Sequence, residues 1–175
     1  MEPITWLALG YQVPANPSKN RVYVWRKLKE LGAVYFRQGV AILPKSPQSL
    51  TRFRALAGKI RELGGDATLA ELRYVDVQDE AATIREFQAQ SQKEYREVIR
   101  EMTRLREEIR TAKGHSQPES AKRVAKRLGQ VRSRDYFMSR RMPEIARSLD
   151  ELLRDMSNAT NDLGHHFSQL IDKDK

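Results

Sequence analysis

The chain has 175 residues, with 32 Lys and Arg against 23 Asp and Glu for a formal net charge of +9. At roughly 100–200 residues per domain, that length gives one compact domain or a small domain with an extension. A pI near 9.9 favours a polyanionic partner, and 31% charged with 39% hydrophobic residues excludes a disordered chain. The lack of Cys excludes disulfides, thiolate zinc sites and thiol catalysis. No apolar run approaches the roughly 20 residues that span a bilayer. The first apolar stretch, residues 4–13, follows Glu2 and Pro3 without a positive leader or a small-residue cleavage site, so the chain is expected to remain in the cytoplasm.

Hydrophobic periodicity predicts a β-α-β-β-α-β order before residue 76 and helices after it. Residues 4–13, apolar on both faces in the middle, read as a central strand, and 14–18, with Pro14 and Pro17, as a loop. A helix is expected over 21–31 with Asn20 as its N-cap and Gly32 as its left-handed stop; Val24, Leu28 and Leu31 face inward, flanked by Trp25. Residues 33–36 and 40–43 are spaced for a hairpin with Gly39 at the position needing positive φ. Ser46 followed by Pro47 starts a second helix, which runs through Phe53, Leu56 and Ile60 to a stop at Gly64 and Gly65. Residues 67–74 supply the fourth strand. This is the split β-α-β order of a ferredoxin-like antiparallel sheet with both helices on one face. The other face must be covered by the helical part or by another subunit.

From Val77 to about Lys113, a heptad-like stripe of Ile84, Phe87, Ser91, Tyr95, Val98, Met102, Leu105 and Ile109 predicts one helix on the order of 50 Å long. A helix of that length must pack against others. Gly114 ends it, residues 115–120 turn with Pro118 at the next entry, and a helix follows with Ala121, Val124, Leu128 and Val131 inward. After a break at 135–142 a last helix starts at Pro143, with Ile145, Leu149, Leu152, Met156, Leu163, Phe167 and Leu170 inward. The expected fold class is α+β: a ferredoxin-like domain, 1–76, and a long-helix hairpin or three-helix extension, 77–175.

Charge is unevenly spread. Residues 1–75 carry a net +7, 76–112 a net −2, 113–147 a net +7 and 148–175 a net −3. In the third block, Lys122, Arg123, Lys126 and Arg127 occupy one arc of a helix opposite its apolar side. They lead into Arg132, Arg134, Arg140 and Arg141, so a ridge and a following loop are placed to track a phosphate backbone. The alternative is an ordinary solvated face. In the first block Arg21 starts its helix on the side of Val24 and Leu28 and is expected to be held by a partner or aimed at a site.

Catalytic patterns are weak. His115 lies in a turn and His165 and His166 are adjacent, so on a helix they point about 100° apart and make a poor metal pair. There is no P-loop, GxGxxG, HExxH or GxSxG. Asp76, Asp79 and Glu80 suit the start of a helix electrostatically and need no further role. Trp6 and Trp25 could stack on bases, but their positions favour packing.

The string RVYVWRKLKELGAV at 21–34, with VAILP at 40–44 and ELGGDA at 62–67, resembles the N-terminal domain family of the chromate resistance protein ChrB. WLALGYQVP at 6–14 and RDYF at 134–137 fit as well, and the resemblance covers residues 4–155. More distantly, the four strands are similar to the ferredoxin-like domains of phenylacetic-acid degradation repressors and of the small CRISPR integration subunit. The last would imply a nuclease with a metal-holding carboxylate at the end of strand one, where this chain has Tyr11, Gln12 and Val13.

The ChrB resemblance implies a cytoplasmic transcriptional regulator of a chromate-efflux operon that binds DNA and responds to chromate. Family members commonly carry a C-terminal domain to which sensing is assigned. With the chain ending at Lys175, DNA binding is the part expected here. The expectation is a homodimer, without enzyme activity, cofactor, metal or membrane partner. It would hold duplex DNA through Lys122, Arg123, Lys126, Arg127, Arg132, Arg134, Arg140 and Arg141, with Arg21 and Arg26 as a secondary patch. Two other readings stay open: a helical module whose basic face meets an acidic subunit, and a direct binder of chromate or another oxyanion. No helix-turn-helix spacing marks a base-reading helix.

Overall fold

The computed structural model describes residues 4–111, 118–138 and 140–159. These form β1 (Trp6–Gln12), α1 (Ser18–Glu30), β2 (Val34–Arg37), β3 (Val40–Pro44), α2 (Pro47–Glu62), β4 (Asp66–Leu72), α3 (Val77–Thr111), α4 (Pro118–Arg132) and α5 (Met142–Ala159). The fold is α+β, as the alternation of periods predicts. Contacts divide the chain into two units, the first ending at Phe87 and the second beginning at Gln88. The sequence changes period at 76, where α3 begins, but the first turns of α3 pack on the sheet and belong with it.

In the first unit the strand order is β2-β3-β1-β4, antiparallel throughout. Register places Leu7 beside Leu43 and Leu9 beside Ala41. That face is buried with the inward residues of α1, Val24 and Leu28, and of α2, Phe53, Leu56 and Ile60. The other face carries Trp6, Ala8 and Ile42, and its cover is the start of α3. Trp6 is fully buried, donates its indole N–H to Glu80 Oε1 at 2.9 Å, and packs on Phe87 and Tyr74 with ring centroids 5.7 and 5.8 Å away. Glu80 therefore does more than complement the helix dipole: it satisfies a donor that would otherwise be dry, which costs about 1–3 kcal/mol when left unmade.

Local chemistry explains most boundaries. Ser46 caps α2 through a reciprocal box with Ser49, and Gly39 and Gly64 hold φ of 74° and 77°. The start of α1 differs from expectation. It begins at Ser18 because Pro17, already extended at φ −75° and ψ 140°, occupies the cap position and accepts from the Asn20 N–H at 3.1 Å; no side-chain cap is used. Trp25 also differs: it is 47% exposed, on the outer side of α1, with Lys29 Nζ 4.8 Å from its ring centroid.

The second unit is a three-helix arrangement of the rest of α3 with α4 and α5. Its core joins Tyr95, Val98, Met102, Leu105 and Ile109 to Val124, Leu128 and Val131 and to Ile145, Leu152 and Met156. These are the positions that the 3-4 spacing selects. Gly114, His115, Leu163, His165, His166, Phe167 and Leu170 lie outside the described residues. Among the described residues no helix is long and apolar enough to cross a membrane.

Candidate nucleic-acid interface

The period of α4 buries Ala121, Val124, Ala125, Leu128 and Val131. At 100° per residue, Lys122, Arg123 and Lys126 then fall on the far side, and all three are exposed. Lys122 lies 3.1 Å from Glu119, but the Glu119 side chain is 80% exposed, and a pair of that kind contributes little. The ridge is therefore positive in solution.

The remaining candidates separate into two groups. Arg127 turns out of the ridge, donating from Nη2 to Glu97 Oε2 of α3 at 2.7 Å. Arg134, two residues past α4, donates from Nε to Glu94 Oε2 at 2.7 Å, and the two side chains are 14% and 17% exposed. Arg141 pairs with Glu144 at the entry of α5. The first two of these arginines tie α4 and the segment after it to α3, while the Arg141 pair is local, three residues apart. Arg132 is half-buried and its Nε has no hydrogen-bond partner among the described residues. Arg140 is exposed. In the first unit Arg21 and Arg26 are exposed and make no hydrogen bond or ion pair among the described residues. Among the described residues Arg21 has no holding partner, the first buried residue of α1 being Val24, which leaves the other part of the expectation, that it is aimed at a site.

Acidic residues of α3 cause this division. The heptad that buries Tyr95, Val98 and Met102 also sets Glu94 and Glu97 on the flank that meets α4, where they take up Arg134 and Arg127. Below this seam the Tyr95 phenol is hydrogen-bonded to the Asp135 carboxylate, and burial together with that carboxylate holds its pKa well above the usual tyrosine value. On the α5 side Arg106 donates to Asp155 Oδ2 at 2.8 Å and to Glu151; the Asp155 bond is the main reason its pKa is raised further.

Sequence reasoning missed the outer face of α3. Because residues 76–112 net −2, the segment read as mildly acidic, yet Lys93, Arg96, Arg100 and Arg104 are all exposed on it. Their spacing of three, four and four was the available signal. An open groove of about 590 Å³ in the first unit was also not foreseen. Val34, Ile42 and Leu72 form its apolar lining and Phe36 and Tyr74 its aromatic one, and its charged lining is mixed, with Arg37 and Arg73 beside Asp76, Asp79 and Glu86. Among the described residues no group of three His, Cys, Asp or Glu is placed to hold a metal ion.

A family model described as Protein ChrB, N-terminal, matches residues 21–164 of this chain. A curated relative, Protein ChrB of Cupriavidus metallidurans, is 26% identical over 132 residues. The match takes in 75% of this chain and 40% of the relative, so the chain spans less than half of that protein's length. No solved structure matches the chain.

Proposed function

The chain belongs to the ChrB N-terminal family, and from that premise we propose that it is a DNA-binding transcriptional regulator of a chromate-resistance operon, acting on duplex DNA as a homodimer and without catalysis. The observation that carries the reading is the exposed face of α4, where Lys122, Arg123 and Lys126 point away from the core and, among the described residues, pair with no acid but the exposed Glu119. Cations of this kind bind phosphates by releasing condensed counterions, each contact adding about 0.9 to the salt slope of log K. They fix position on the duplex and carry no base information.

The test is fluorescence anisotropy on duplex DNA from upstream of its own gene against a scrambled duplex, across a salt series. Tighter binding to the native duplex near physiological salt is the expected result. The double variant Lys122→Glu with Lys126→Glu should weaken binding uniformly and lower the slope by about two. Normal binding by that variant refutes the site. Equal, steeply salt-dependent binding to both duplexes refutes a sequence-specific regulator. No binding at low salt refutes DNA binding and leaves a helical module that meets an acidic protein.

A second reading, direct binding of chromate or another oxyanion, is favoured by Arg132, whose buried Nε lacks a hydrogen-bond partner among the described residues. A ligand of the native state raises apparent stability by mass action. Thermal stabilisation by chromate beyond that from chloride at matched ionic strength supports it, and equal melting in both salts ends it.

A further inference from the structure

We infer that the outer face of α3 is a second phosphate-contacting surface, with Lys93, Arg96, Arg100 and Arg104 following one strand of the same duplex that the α4 ridge engages. The inference rests on the DNA-binding reading and extends it to residues that the charge of the segment hid.

Three observations lead there. At 100° per residue the four cations fall within an arc of about 80°, directly opposite the buried row of Tyr95, Val98, Met102, Leu105 and Ile109. They therefore project away from the unit, and all four are exposed. Among the described residues none of them makes a hydrogen bond or ion pair. The acid best placed to neutralise them is Glu97, four residues after Lys93 and three before Arg100, which is the spacing of helical ion pairs. Its carboxylate is instead engaged by Arg127 of α4 at 2.7 Å, so an interhelical contact removes the counter-charge nearest Lys93, Arg96 and Arg100, while Arg104 at the end of the row keeps Glu101, Glu107 and Glu108 at helical spacing.

Dimensions and position suit a nucleic-acid backbone. Residues 93–104 extend about 16 Å along the helix at 1.5 Å per residue. That length passes about five phosphates of one strand at 3.4 Å each. The Glu97–Arg127 pair also lies between the two cationic rows: Arg96 and Arg100 are one residue before and three after Glu97, while Arg123 and Lys126 are four and one before Arg127. Packed helices have axes about 8–10 Å apart, so the rows form one broad surface on both sides of the seam. The outer face of α5 contrasts with this, because the exposed Asp150 stands three residues after Arg147 and four before Arg154, the spacing of helical ion pairs, and makes no interhelical pair among the described residues.

The test uses the full chain and compares Arg96→Gln with Arg100→Gln, as a double variant, against Arg147→Gln with Arg154→Gln, the same charge change on α5. Gln is close to Arg in helix propensity, and circular dichroism checks that helix content is kept; single Arg100→Gln serves as a milder form. Loss of two phosphate contacts should lower affinity about 60-fold near 0.1 M salt and flatten the salt slope by about two. The α5 variant should stay within a few-fold of the parent. If the parent and the α4-ridge variant behave as proposed but the α3 variant binds within twofold of the parent, the α3 surface is refuted and the DNA-binding reading stands. An equal loss in the α3 and α5 variants refutes a located surface in favour of overall charge. A parent that binds no DNA refutes both.

Discussion

Arg134→Ala separates a DNA ligand from a strut. Arg134 and Glu94 are 14% and 17% exposed and meet at 2.7 Å, so neither is well solvated. Removing the guanidinium deletes a charge-assisted hydrogen bond, typically about 1.5–3 kcal/mol, and leaves Glu94 partly dry. An expected loss of about 2 kcal/mol follows, well above the roughly 0.5 kcal/mol of an ordinary surface change such as Lys126→Ala. For a unit of this size, each kcal/mol moves the melting point by about 4–8 °C. Urea unfolding of the full chain, followed by far-ultraviolet circular dichroism, reads the loss directly. A double-mutant cycle with Glu94→Ala should return a coupling of about 1–2 kcal/mol. Arg134→Ala should also retain most DNA affinity at temperatures where it is folded. A variant as stable as the parent that loses as much affinity as Lys126→Ala would overturn the reasoning, making Arg134 a phosphate ligand.

Two further outcomes follow from close packing and from titration. In Gly65→Ala the new Cβ would stand 2.4 Å from the Gln12 carbonyl oxygen and 2.9 Å from Ile60 Cγ2, so backbone must shift and thermal melting should report about 1–3 kcal/mol lost, whereas Gly58→Ala, inside α2 with nothing within 4 Å, should gain about 0.5–1 kcal/mol. The raised pKa of Tyr95 means that above about pH 10 the unfolded chain loses that proton first. The native state then binds more protons and stability falls as pH rises, being fully present below pH 10. Tyr95→Phe should flatten this alkaline decline in a pH series of urea melts, and an unchanged decline would show that Tyr95 is not its source.

Much of the architecture could be read from local patterns because local physics sets them. Ser46 and Pro47 determine the start of α2 whatever surrounds them, since a capping box and a prolyl first turn depend on a few neighbouring residues. Gly39 and Gly64 mark turns for the same reason. The 3-4 spacing from Phe87 to Ile109 chose the buried row of α3 and assigned its partners to a helical unit. Pro17 took the cap position from Asn20 because a pre-set extended φ served the chain there without a side-chain bond.

Which charges are free is a different kind of question. A segment sum counts Arg127, Arg134 and Arg141 with the ridge and cancels Lys93, Arg96, Arg100 and Arg104 against their acidic neighbours. Composition, periodicity and turn chemistry thus determined the α+β class, the helical extension and the excess of positive charge, because each depends on residues near in sequence. Pairing of Glu94 and Glu97 with arginines 40 and 30 residues away was decided by tertiary structure alone, since an ion pair depends on distance in space, and it is this pairing that places the positive face on the outer sides of α3 and α4.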